Sequence, residues 1–143
     1  MIYLGSDHAG FKKKEKIKRL LDKLNQKYED LGTDSEKSVD YPVYARKVGK
    51  AVVKNKVKGI LICGTGTGMV IAANKIKGVR AVVAYDNYSA KMSRYDNDAN
   101  VLCLRARQFS FEKTEQIIKT WLKTKFSNIP RHKRRIKEIE WNK

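Results

Sequence analysis

The run Gly59-Ile60-Leu61-Ile62-Cys63 passes without a break into Gly64-Thr65-Gly66-Thr67-Gly68. A continuous apolar run closed by glycines reads as a strand buried on both faces. Such a strand needs helices on both sides, and the rest of the chain supplies them. Ile2-Tyr3-Leu4, closed by Gly5, is a shorter run of the same kind; Val79 to Tyr85 and Val101-Leu102-Cys103-Leu104 are two more. Tyr28 to Leu31, ended by Gly32, is a weak one. Between them apolar residues recur at helical spacing: Ile17, Leu20, Leu21, Leu24 and Tyr28 after Phe11, then Val43, Ala45, Val48, Ala51 and Val52 after Pro42. Ile117, Ile118, Trp121 and Leu122 do the same within Phe111 to Phe126. Met69 to Lys75, Ser89 to Tyr95 and a basic segment from Arg131 to Trp141 complete the helical set. Strands alternating with helices over 143 residues predict one doubly wound α/β domain, a five-stranded parallel sheet with helices on both faces.

Several classes are excluded early. No apolar run approaches the roughly 20 residues of a membrane span, and Met1 leads directly into a strand and a charged helix rather than a signal peptide. Cys63 and Cys103 are too few and too far apart for a disulfide scaffold or a zinc site, so the expected compartment is reducing and cytoplasmic. The net charge of +17 suggests nucleic acid. Yet the lysines are spread along the chain, only Arg131-His132-Lys133-Arg134-Arg135 is dense, and no nucleic-acid-binding motif accompanies them. A solvated surface that draws in small phosphorylated anions is the preferred reading.

In doubly wound sheets ligands bind beyond the carboxyl ends of the strands. Three segments of unusual chemistry are expected there: Ser6 to Gly10, Cys63 to Gly68, and Asp96 to Asn100. Glycines at alternate positions let backbone N–H groups approach an oxyanion. The loop is not a Walker motif, because no Gly-Lys-Ser/Thr follows Gly64, and a dinucleotide fingerprint fails where Met69 replaces its third glycine. Asp86, about 20 residues on, still keeps a nucleotide-binding module open. Cys63 at the mouth of the loop suits a base or nucleophile, whereas Cys103 inside a strand is structural. His8 and His132 sit in polar surroundings fit for proton transfer or phosphate contact. Arg107, Arg131 and Arg135 offer bidentate donors to a phosphate.

Gly5-Ser6-Asp7-His8-Ala9-Gly10-Phe11, Ser38 to Pro42, Gly59 to Gly66, Ile71 to Lys75, Asn97 to Leu102 and Arg131-His132 together resemble the ribose-5-phosphate isomerase B family, over nearly the whole chain and in order. The resemblance implies a single Rossmann-like sugar-phosphate isomerase domain over residues 1–143, working without metal or cofactor. It implies that Cys63 moves a proton between C2 and C1 through a cis-enediolate, and that Thr65 assists transfer between O1 and O2. It implies too that the backbone amides of the loop residues Gly64, Gly66, Thr67 and Gly68 stabilise the enediolate. Asp7, His8 and Asn97 match sugar- or phosphate-contacting positions; Arg107, Arg131 and Arg135 match a phosphate clamp. A homodimer or dimer of dimers with shared sites is implied, and the alternative substrates are allose or galactose 6-phosphate. Where the family commonly has a ring-opening histidine, this chain has Asp96, and Arg105 stands where glycine is common. A carboxylate near its ordinary pKa of about 3.9 donates protons poorly at neutrality. His132 is therefore expected to open the sugar ring, with Asp96 orienting it.

Overall fold

A computed structural model describes residues 1–140; Trp141, the expected end of the last helix, lies outside them. The strands are β1 (Ile2–Ser6), β2 (Tyr28–Asp30), β3 (Lys58–Cys63), β4 (Ala81–Val83) and β5 (Val101–Arg105). The helices are α1 (Phe11–Lys23), α2 (Tyr41–Asn55), α3 (Thr67–Ala73), α4 (Asn87–Tyr95), α5 (Phe111–Lys123) and α6 (Pro130–Ile139). All strand pairs are parallel, in the order β2-β1-β3-β5-β4. The doubly wound reading holds. Among the described residues no helix is long and apolar enough to cross a membrane.

Alternation along the central strands divides the core. Ile60, Ile62, Leu102 and Leu104 face one layer and pack with Ile17, Leu21, Ile117, Ile118 and Trp121 of α1 and α5. Leu61, Cys63, Val101 and Cys103 face the other, against Ala45, Val48, Val52, Met69 and Ala73 of α2 and α3. Burial, and to a lesser degree the neighbouring Cys63, pushes the Cys103 thiol well above its ordinary range, which fits its structural role.

Three expected elements are shorter or shifted. Helix α1 stops at Lys23 and Leu24 is exposed, so Tyr28 belongs to β2 alone. The strand expected over Val79 to Tyr85 contracts to Ala81–Val83, the stretch that pairs with β5. Helix α3 begins two residues before Met69 and ends at Ala73.

The crossover from β1 to β2 leaves on one side of β1, while β3 pairs on the other. The chain therefore reverses its winding between β1 and β3, and a crevice opens beyond their carboxyl ends. One wall of that edge is tied down by Lys14, whose side chain is 1% exposed yet charged. Its ammonium donates to Asp30 Oδ2 and to the Thr33 carbonyl (2.7 Å). Removing one partner of a buried pair strands the other charge, at a cost of about 3–5 kcal/mol. Because Asp30 is partly exposed, Asp30→Ala is expected to sit at the low end, about 3 kcal/mol, lowering the melting temperature by about 10 °C. Thermal unfolding followed by circular dichroism measures it, and the double variant Lys14→Met/Asp30→Leu should recover only part of the loss, because Asp30 also accepts from Gly32 N–H (2.9 Å) and Lys18 (3.3 Å).

Candidate functional site

Strand β3 delivers Cys63 to the crevice, where Gly66 N–H donates to Cys63 Sγ (3.2 Å). That contact requires the loop to turn back sharply, and Gly66 has φ +83 to do so. A side chain there would begin 2.8 Å from Val83 Cγ2 and 3.3 Å from the Leu104 carbonyl carbon. The hydroxyl of Thr65 accepts from Thr67 N–H (3.3 Å), and both threonines are exposed. No acceptor among the described residues takes the N–H groups of Thr65 and Gly68, which remain available to an oxyanion.

Strand β1 brings up the second wall. Asp7 is buried; its N–H donates to the Ile62 carbonyl (3.3 Å) and its Oδ1 accepts from Gly10 N–H (3.1 Å). His8 Nδ1 accepts from Val39 N–H (3.1 Å), so the neutral ring carries its proton on Nε2 as a donor. On the other flank Ala106 N–H and Arg107 N–H donate to the Cys63 and Gly64 carbonyls (2.9 and 3.1 Å). The Arg107 guanidinium comes within 3.1 Å of where a Gly64 side chain would begin. A thiol, two free amides, a carboxylate, an imidazole N–H and a guanidinium thus converge on one edge.

Sequence reasoning missed the braces. Lys13 Nζ donates to the carbonyls of Arg105 (3.1 Å) and Phe109 (2.9 Å), on either side of Arg107, and to Thr114 Oγ1 (3.3 Å). Burial first, then Lys16 and Arg105, lowers the Lys13 pKa. Arg105 Nε donates to the Arg107 carbonyl (3.0 Å), and its guanidinium stacks 5.3 Å from the Tyr85 ring. Tyr85 in turn donates its hydroxyl to the Thr65 carbonyl (3.0 Å). Arg105, the residue that departs from the resemblance, thus links the glycine loop to the arginine loop. The Tyr41 ring packs over Gly68. Asp86 accepts from Ser89 N–H (2.7 Å) as the cap of α4, which holds its carboxylate below the usual range. This gives Asp86 a structural task in place of a ribose contact.

The expectation for Asp96 to Asn100 is overturned. Helix α4 runs back along the sheet, so this segment lies at the amino-terminal edge, where the Asn100 carbonyl accepts from Gly59 N–H. Cys63 pairs with Arg105, five residues beyond Asn100, which puts the two groups roughly 16 Å apart along the sheet. The turn gathers its own partners. His132 Nδ1 lies 2.6 Å from Ser127 Oγ, and its Nε2 lies 3.6 Å from Asp96 Oδ1. The His132 side chain is 8% exposed and that of Asp96 40%, so the carboxylate is the member that meets solvent. Asn97, Arg131 and Arg135 are exposed beside them. The site residues therefore form two clusters: Asp7, His8, Cys63 to Gly68 and Arg107 at one edge, and Asp96, Asn97, Arg131, His132 and Arg135 at the other.

A model of the ribose/galactose isomerase family matches residues 2–139. Ribose-5-phosphate isomerase B of Escherichia coli is 43% identical over 139 residues, spanning 96% of this chain and 93% of that protein. The solved structure of ribose-5-phosphate isomerase B from Clostridium thermocellum is similar with a TM-score of 0.94 at 44% identity, over 97% of this chain and 94% of that one. The corresponding structure from Thermotoga maritima gives 0.94 at 45% identity, over 97% and 96%.

The loop geometry generates one expectation. Gly66→Ala forces a β-carbon into both a left-handed backbone and an occupied space, and should cost about 1–3 kcal/mol in urea unfolding. Stability equal to that of the parent chain would contradict the geometry.

Proposed function

The chain belongs to the ribose/galactose isomerase family, and we propose that it interconverts ribose 5-phosphate and ribulose 5-phosphate through a cis-enediolate, with Cys63 as the base. The observation that carries this reading is the Cys63 thiol at the end of β3, held by Gly66 N–H beside unoccupied loop amides. The Cys63 thiolate removes the proton from C2 and returns it to C1. The Thr65 hydroxyl passes a proton between O2 and O1. The N–H groups of the Gly64 to Gly68 loop without an acceptor among the described residues, those of Thr65 and Gly68 included, hold the enediolate charge. His8 Nε2–H and Asp7 orient the sugar hydroxyls. The isomerisation is redox-neutral overall, so the reading calls for no redox cofactor, and in it loop amides rather than a metal ion carry the enediolate charge.

The two clusters cannot serve one sugar within one chain. We assign the second cluster to the site of a partner copy, in a homodimer or a dimer of dimers acting in the cytoplasm. There Arg131 and Arg135 complete with Arg107 a clamp for the phosphate dianion, and Asn97 contacts the sugar. Among the described residues none of the three arginines has a carboxylate partner, which leaves their charge for the substrate. Cys63→Ala should lose at least about 10²-fold in turnover, and iodoacetamide should inactivate the parent enzyme unless substrate protects it. Mixing Cys63→Ala with Arg135→Ala chains should restore about one quarter of the parent activity, because half the dimers then contain one intact site. Mixtures as inactive as their components would rule out shared sites.

Ribose 5-phosphate is mostly a furanose, so a proton must leave O1 and one must reach the ring oxygen before isomerisation. His132 is assigned as the acid/base and Asp96, 3.6 Å from its Nε2, at most as the group that orients the imidazole. In a Cys63→Ala background, exchange between α and β anomers is visible by NMR magnetisation transfer. His132→Ala should abolish the enzyme's acceleration of that exchange, and Asp96→Ala should largely spare it. Loss in the Asp96 variant alone would return ring opening to position 96.

A further inference from the structure

A cavity of about 400 Å³ opens at the amino-terminal edge of the sheet, between the end of α2, the start of β3 and the turns before β4 and β5. It shares no residue with either cluster described above. Val52, Val53 and Val57 form an apolar wall, and Lys56, Lys58, Arg80 and Arg94 face it with Asp98. The arginines are matched. Arg80 pairs with Asp98 (3.4 Å) and Glu140 (3.7 Å), and Arg94 pairs with Asp98 (2.8 Å) and the Ala99 carbonyl. Lys56 and Lys58 form no ion pair among the described residues. Asp98, already engaged by both arginines, is the acidic group that acts on Lys58, so against Asp98 and Glu140 the four cations leave two positive charges in excess. The Lys58 ammonium is partly buried and rests 5.5 Å from the Trp121 ring, which Arg94 also approaches at 5.8 Å. Burial and the nearby Arg94 lower its pKa, with Asp98 opposing them.

A half-buried lysine beside an arginine, with one carboxylate shared among three cations, gains stability from a further anion. We propose that this cavity binds a small phosphate dianion, held by Lys56 and Lys58, with any carbon skeleton lying on the valine wall. Two unmatched cations suit a dianion, since a monocarboxylate would leave one of them bare. Asp98 belongs to the same turn as Asp96 and Asn97, so an occupant that draws on Arg94 or Arg80 also bears on the second cluster. The proposal is independent of the isomerase reading.

The test uses the full chain with its lysines labelled with carbon-13, in an Arg107→Ala/Arg131→Ala/Arg135→Ala background that removes the clamp. The Lys58 signal is the one missing from Lys58→Arg. Inorganic phosphate added at constant ionic strength should shift that signal saturably and raise its titration midpoint, with a dissociation constant on the order of 1 mM. Calorimetry should show binding weakened at least about tenfold in Lys58→Met and restored in Lys58→Arg. In the chain with its arginines intact, the same titration should count two phosphate sites, one of them lost in Lys58→Met. Tighter binding of glycerol 3-phosphate than of phosphate identifies an ester that uses the valine wall, and equal binding identifies free phosphate. An unmoved Lys58 signal, or undiminished binding in Lys58→Met, would overturn the proposal.

Discussion

The pairing of β3 with β1 on one side and β5 on the other governs the rest of the molecule. It places Ile62 against Ser6 and Cys63 against Arg105, so the three loops leaving these strands emerge side by side. Each loop is then fastened to its neighbour by backbone bonds that only this register permits, from Asp7 to Ile62 and from Ala106 and Arg107 to Cys63 and Gly64. A slip of one residue would turn Cys63 from the α2–α3 layer to the opposite face, and the thiol would lose its loop.

The opposite edge follows a different logic. There the connections are built from arginines on carbonyls and shared carboxylates: Arg80 on Asn97 and Asp98, Arg94 on Asp98 and Ala99. Positive charge is plentiful in this chain, and the fold uses part of it as internal scaffolding for a turn that lacks regular structure. Lys13 and Lys14 do the same work at the other edge, with charged heads carried into the interior and fully engaged. The basic composition is thus only partly a surface property.

The sheet, its parallel sense and the Cys63 to Gly68 loop were legible because buried parallel strands leave unbroken apolar runs and glycines mark the turn. Helix ends were less legible, since Leu24 and Tyr28 continue the apolar periodicity of α1 past its last residue, Lys23. The site was legible residue by residue but not as an arrangement. Asp96 to Asn100 precedes a strand instead of following one, and in a parallel sheet that order alone sends it to the amino-terminal edge. The braces left no signal. Lys13 looks like any lysine on the polar side of a helix, and its acceptors stand 92 to 101 residues away in the chain. Nor does anything near Tyr85 foretell that its hydroxyl fastens Thr65.

Both rims of the sheet are strands of only three residues, β2 and β4, and β2 carries Glu29 and Asp30. Rims so brief and, on one side, so acidic give a neighbouring polypeptide little ladder to extend. Copies of this chain are thereby steered away from edge-to-edge polymerisation into continuous sheets. Any stable union between them has to be written in side chains and helix surfaces, where shape and charge discriminate, rather than in the backbone, where every sequence reads alike.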